Sequence, residues 1–214
     1  MRQFDFYEFT GVLVPGVAML AGVLLLFPDI VRPDFIKDFN VGGLGLFIVF
    51  AYVLGHLVQA IGNAVEAVWW KLWGGMPTDW VRTKSERLLE PSQVAALGKL
   101  VHDRLGQEIE IANSTKSQWY WVTHQIYAEV SGAGCASRID VFNGNYGLNR
   151  GIAAGLLAVM SGAVFKSPTN WVLVVGAGIV AALALYRMHR FARHYAYELF
   201  VQFLHTPRQE HKPA

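Results

Sequence analysis

The sequence predicts an all-α polytopic membrane protein with four transmembrane helices and a small helical cytoplasmic domain. Three observations carry that prediction. Only 16% of the 214 residues are charged, 53% are hydrophobic and 13% are aromatic, against about 25% charged in an ordinary soluble domain, and the mean hydropathy is +0.31. The charges are also unevenly placed: none falls between Glu8 and Asp29, between Asp38 and Glu66, or between Lys166 and Arg187. Runs of about 20 apolar residues are what the ~30 Å hydrocarbon core of a bilayer requires of a helix. Between these runs the apolar residues recur at helical spacings, without convincing strand alternation. A soluble enzyme is therefore not the default reading.

Residues 1–73 form a first transmembrane hairpin, with spans at about 9–27 and 43–70. Pro15-Gly16 lies inside the first span, where neighbouring helices can satisfy the freed carbonyl, and a kink is expected there. A short loop at 28–43 follows. The second span, at 1.5 Å per residue, is about 42 Å long, so its last turns project beyond the hydrocarbon. Trp69, Trp70 and Trp73 flank Lys71 as an interfacial belt.

Residues 74–145 are polar enough to form the cytoplasmic domain. Pro91 precedes Val94, Leu97, Val101 and Leu105, an amphipathic helix with proline at its start. Trp119, Val122, Ile126 and Val130 mark the apolar face of a second helix, which Gly132-Ala133-Gly134 interrupts. Ala136, Ile139, Phe142 and Tyr146 keep the same spacing into the next span, and only residues 108–111 leave helix and strand open.

The second hairpin, 146–187, has spans at about 148–166 and 171–186. Only 15 uncharged residues separate Arg150 from Lys166, about 22 Å of helix, and both cations can snorkel to let it cross. A tight turn, Ser167-Pro168-Thr169-Asn170, leads to the fourth span. No Gly or Pro occurs from Ile179 to Thr206, so the helix continues as a cytoplasmic extension over 188–205. Phe191, Tyr195, Leu199 and Phe203 lie on one side of it, with Arg190, Arg193 and His194 elsewhere. Residues 206–214 read as a tail.

Four spans put both termini and residues 74–145 on one side, which then carries all of the 18 Lys and Arg except Arg32, Lys37 and Lys166. The positive-inside rule makes that side cytoplasmic, and the expected location is a bacterial inner membrane. A secretory signal peptide is not expected, since the first eight residues are acidic and the first apolar run is too long. A net charge of +2 disfavours nucleic acid as a partner. The single Cys135 excludes an internal disulfide and a cysteine-based zinc site.

Polar residues inside the second span are the first candidates for function. His56, Gln59, Asn63 and Glu66 follow at spacings of 3, 4 and 3, which stacks them along one side of a helix. A charge at the bilayer centre costs about 2.5–3.5 kcal/mol, so such groups seldom face lipid. They either hydrogen-bond between helices or line a water-filled path. A single four-span subunit has little room for a pore, so conduction requires an oligomer. Gly151-xxx-Gly155 and Ala18-xxx-Gly22 fit close helix packing within or between subunits.

Catalytic readings are weaker. Gly176, Gly178 and Ala181 match a dinucleotide fingerprint on paper, but no βαβ context surrounds them. Arg187 and His194 have the separation of the Arg-x(4–6)-His motif of HEPN-type ribonucleases, where His transfers protons and Arg orients phosphate. The same arginines serve equally as a positive-inside anchor. His102 and His124 lack a spaced ligand partner, so no metal is expected, and no cofactor is expected either. A phosphate-binding loop and a His-Glu-x-x-His motif are both missing from the sequence. The aromatic residues Trp119, Tyr120, Trp121 and Tyr127 form either the core of the cytoplasmic domain or a docking surface for a protein or small ligand.

Phe6-Tyr7-Glu8-Phe9-Thr10-Gly11 up to Pro15-Gly16, the Gly55-His56-Leu57-Val58-Gln59-Ala60 segment, and the approach from Arg138 to Arg150 together resemble small multi-span bacterial membrane effectors of anti-phage defence. These are the effectors of retron, CRISPR-ancillary and abortive-infection systems. The resemblance implies disruption of the inner membrane once a cytoplasmic sensor is triggered. His56, Gln59, Asn63 and Glu66 would then belong to the permeation path and residues 74–145 to the sensing part. It also keeps Arg187 and His194 as a nuclease alternative, since some related effectors carry HEPN-like elements.

The expected function is thus a homo-oligomeric membrane effector that permeabilises the bilayer when a cytoplasmic partner or small-molecule trigger engages it. The alternatives are a non-conducting anchor or sensor that recruits a soluble partner, and a membrane-bound ribonuclease.

Overall fold

The computed structural model describes residues 6–28, 41–83, 87–166 and 169–206. Among these, 87% are helical and none lies in a strand. Six α-helices follow in order: α1 Phe6–Leu26, α2 Val41–Leu72, α3 Pro91–Leu105, α4 Lys116–Gly132, α5 Ser137–Lys166 and α6 Trp171–His205. Short 3-10 helices at Pro77–Arg82 and Ile111–Asn113 join them; of the segment left open at 108–111, residues 108–110 are neither helix nor strand and Ile111 starts the second 3-10 helix. Three helices, α2, α5 and α6, are long and apolar enough to cross a membrane, and α1 is a shorter apolar helix. The expected loop at 28–43 and tail at 206–214 fall almost wholly outside the described residues.

Local chemistry explains the ends of these helices. Pro91 sits in the first turn of α3, where its missing N–H leaves no bond unmade. The Glu90 N–H donates to Gln93 Oε1 at 3.1 Å. Gly106 closes α3 in the left-handed conformation, φ 64°, which costs glycine nothing. At the start of α4, Thr115 Oγ1 accepts from the Gln118 N–H at 3.2 Å, and Gln118 Oε1 accepts from the Thr115 N–H at 2.9 Å. That reciprocal pair is a capping box. Helix α5 runs unbroken for 30 residues, so the amphipathic stretch from Ile139 and the apolar run after Arg150 are one element. Helix α6 is likewise a single helix of 35 residues, because no Gly or Pro interrupts it after Ile179.

The chain divides into two compact units, one of residues 1–69 and 144–189, the other of 70–143 and 190–214. In the first, α1 and α2 meet backbone to backbone. Gly16 lies against the Ala51 carbonyl and Gly55 against the Val12 carbonyl, so tightly that a Cβ on either glycine would collide with a main-chain oxygen. Helix α5 packs on this pair. A Cβ on Gly151 would stand 2.6 Å from Pro15 Cγ, and one on Gly155 3.6 Å from Met19 and Val58. Gly22 is filled by the Val159 side chain. Gly151, Gly155 and Gly22 of the small-xxx-small pairs therefore all lie in contacts within one chain. The proline expected to kink α1 is fully buried, and the helix runs through it. Helix α6 contributes a buried stripe of Ala177, Ala181, Ala184 and Met188.

The second unit has a separate apolar core. Leu97 and Val101 from α3 meet Trp119, Val122, Ile126 and Val130 from α4, Ile139 from α5, and Leu199, Phe200 and Phe203 from α6. Period-3.6 spacing places these side chains on inward faces. Arg104 ties the layers together: it donates to the Phe203 carbonyl at 3.1 Å and to Glu129 Oε1 at 3.4 Å, with its guanidinium 5.2 Å from the Phe203 ring centre.

Candidate functional site

The polar residues of α2 do not act as one stripe. Successive residues of an α-helix are rotated by about 100°, so the pair His56 and Asn63 lies roughly 60° around the helix from the pair Gln59 and Glu66. That offset decides what each pair meets. Gln59 and Glu66 are half-buried and turn toward α5, whereas His56 and Asn63 are exposed.

The inward pair converges on Arg150 of α5. One guanidinium nitrogen, Nη1, pairs with Glu66 Oε2, and Nη2 donates to Gln59 Oε1 at 2.9 Å. The Gln59 amide then donates to the Gly11 carbonyl of α1 at 2.6 Å. The three helices are thus linked by one chain of hydrogen bonds. Only 21% of the Arg150 side chain and 19% of the Glu66 side chain are exposed, which makes the pair strongly dependent on both partners: removing one member of a buried pair leaves an uncompensated charge. Gly62 lies beneath the Arg150 stem, and a Cβ there would stand 3.4 Å from Arg150 Cγ, at ordinary van der Waals contact. Arg150 also lies 6.0 Å over the Tyr146 ring, and its Nε is buried with no hydrogen-bond partner among the described residues. The sequence placed Arg150 at a span end as a snorkelling cation. Its signal as a partner was Glu66, the first acid after the long uncharged run.

The outward pair has a different setting. His56 meets the edge of the Tyr52 ring at 4.7 Å. On the same side of the helix Val49, Val53 and Leu57 are exposed. This face of α2 is apolar, wide and interrupted by two polar side chains.

The four aromatic candidates of the second unit separate in the same way. Trp119 is 1% exposed, its indole N–H donating to the Thr78 carbonyl at 2.7 Å and its ring 5.9 Å from Phe200; it belongs to the core and offers no docking surface. Tyr127 is half-buried, its hydroxyl donating to Asp140 Oδ1 at 2.7 Å. That bond, aided by burial, pushes the phenol up to about 12. Tyr120 and Trp121 are exposed at 53% and 62% and cluster with His124, whose ring lies 4.1 Å from Tyr120. Arg187 and His194 are both exposed on α6, and the His194 ring stacks on Phe142 at 5.4 Å. No group of three His, Cys, Asp or Glu suited to a metal occurs among the described residues.

No protein-family model, curated protein or solved structure matches the chain.

Proposed function

We propose that the chain is an integral inner-membrane protein that assembles as a homo-oligomer through α2 and permeabilises the bilayer when a cytoplasmic partner or ligand engages the second unit. The observation that carries this reading is the exposure of His56 and Asn63 on an otherwise apolar helix face. Polar groups at membrane depth seldom face lipid, and a second copy of α2 supplies the missing partners. Repeated around a symmetry axis, the same two side chains form polar rings along a shared path. In this reading α1 is the fourth crossing, because its 21 residues reach about 31 Å and it packs backbone to backbone with α2. The bias of Lys and Arg then leaves both termini in the cytoplasm. The Arg150 network holds α1, α2 and α5 together, and a trigger opens the assembly only by binding the open arrangement better than the closed one. The anti-phage context of this activity comes from the sequence resemblance.

Planar-bilayer recording of the purified protein tests the proposal. Conductance that appears on triggering and disappears in His56→Leu/Asn63→Leu, with expression and assembly unchanged, is the expected result. No conductance under any trigger, or conductance indifferent to both substitutions, contradicts it. A second reading, a non-conducting anchor that recruits a soluble partner, is favoured by the exposed Tyr120, Trp121 and His124 cluster. It predicts partner capture lost in Trp121→Ala and retained in the α2 double variant.

A further inference from the structure

Arg190, Arg193, His194 and Tyr197 follow at spacings of 3, 1 and 3 along α6, which places all four on one face of the helix. The opposite face, with Ala192, Ala196, Leu199 and Phe200, is buried in the core, so the fold itself does not need the basic one. Facing it, Arg87 and Leu88 complete a cleft of about 470 Å³.

Among the described residues, every polar side chain lining that cleft is a hydrogen-bond donor or can become one, and none is a carboxylate. The single acid of the α6 extension, Glu198, is buried on another side, where it lies 3.8 Å from Arg138 and accepts from Gln202 at 2.9 Å. Arg190 and Arg193 have no ion-pair partner among the described residues. Like charges one helical turn apart repel, and a bound anion removes that repulsion. A topological anchor explains cations on α6 just past its apolar stretch. It does not explain why Arg87, from a segment about 100 residues away, converges on the same cleft.

We propose that this cleft is a phosphate-binding site, formed by Arg87, Arg190 and Arg193 with His194 and Tyr197. Arginine offers a planar fork of donors that matches phosphate oxygens two at a time. The tyrosine hydroxyl and an imidazole N–H add single donors. The volume exceeds that of a bare phosphate and falls within the range of small-molecule sites. A terminal phosphate of a soluble organic ligand and the headgroup phosphate of an anionic lipid present the same chemistry. The position of Arg190, four residues beyond Tyr186 at the end of the apolar run, suits a lipid headgroup. The open side suits a soluble ligand.

The test uses the full chain in nanodiscs. In one arm the lipid is phosphatidylcholine alone, and inorganic pyrophosphate is titrated by calorimetry. In the other, the discs contain phosphatidylglycerol and phosphatidylcholine, and lipid retained by the protein after detergent extraction is quantified by mass spectrometry. Pyrophosphate binding that weakens about tenfold or more in Arg190→Gln/Arg193→Gln supports a soluble phosphate ligand. Selective phosphatidylglycerol retention lost in that variant supports a lipid headgroup. Lys99→Gln, a cation outside the cleft, leaves either signal unchanged. The replaced side chains are exposed, and circular dichroism of the double variant matching the parent confirms its fold. Neither probe binding, or binding that the double substitution does not alter, overturns the proposal.

Discussion

Arg150 shows how much one side chain decides in a helix bundle. Its two terminal nitrogens engage Glu66 and Gln59, and either charge of the Arg150–Glu66 pair would be costly if left uncompensated in this partly buried place. Arg150→Met is therefore expected to destabilise the folded protein by about 3 kcal/mol, read as a shift of the detergent-unfolding midpoint. Adding Glu66→Gln to that variant should recover part of the loss, because the orphaned carboxylate is then gone. A double-mutant cycle in which the two effects simply add would contradict the pairing. Gly55 makes the same point through size. Gly55→Ala drives a Cβ into the Val12 carbonyl, so α1 and α2 must separate at a cost of about 1–3 kcal/mol. Gly45→Ala, inside α2 with nothing within 4 Å of the added Cβ, should by the same measurement cost nothing and gain up to about 1 kcal/mol of helix propensity. Gln59 and Glu66 were legible in the sequence as polar residues at depth. Their partner was not, because it lies 84 residues from Glu66 and local spacing carries no information about which distant helix docks.

At the scale of elements, legibility depended on whether one local pattern sufficed. The α3 start at Pro91, the interruption of α4 near Gly132 and the unbroken α6 all follow from proline and glycine placement, and each is present. The inward face of α4 followed from period-3.6 spacing, and Trp119, Val122, Ile126 and Val130 are all buried. The aromatic set on the same helix was ambiguous until rotation was considered. Trp119 and Trp121 are two residues apart, hence roughly 160° apart around the axis, and one is core while the other faces outward. The polar residues of α2 repeat this lesson at a smaller angle, where about 60° separates an ion-pair network from an open face. The α4–α5 contact through Tyr127 and Asp140 is open to a pH test. Its raised phenol, about 12 against 10.0 for the ordinary side chain, favours the neutral form in the folded state. The stability it adds is fully present below pH 10 and is lost as pH rises through about 12. Alkaline unfolding followed by circular dichroism should therefore lose one component in Tyr127→Phe. Identical alkaline profiles for the two proteins would rule out that contribution.

For the whole molecule, composition and charge-free runs were enough to indicate an all-helical chain with membrane-length apolar helices. Three such helices are present among the described residues. The role of α1 as a fourth crossing depends on a bilayer, and so does the topology that the Lys and Arg bias implies. Assembly is equally a property of more than one chain, and no pattern within a single helix specifies a partner copy. What links the scales is a requirement of the solvent. Groups that prefer water are tolerated in a bilayer only where protein or water covers them. Gln59 and Glu66 meet that requirement within the chain, and His56 and Asn63 do not.

A nitroxide label at Asn63→Cys, in protein from which Cys135 has been replaced by Ser, measures that cover directly in lipid nanodiscs. Its collision rate with dissolved oxygen is compared with that of a label at the exposed, apolar Leu183 of α6, since Val49 shares the face of Asn63. Subunit contact through α2 predicts a label at 63 that is shielded from oxygen and spin-coupled to its counterpart in a second copy. A label at 63 as accessible to oxygen as the one at 183, with no coupling between copies, would show this face meeting lipid and contradict the oligomer.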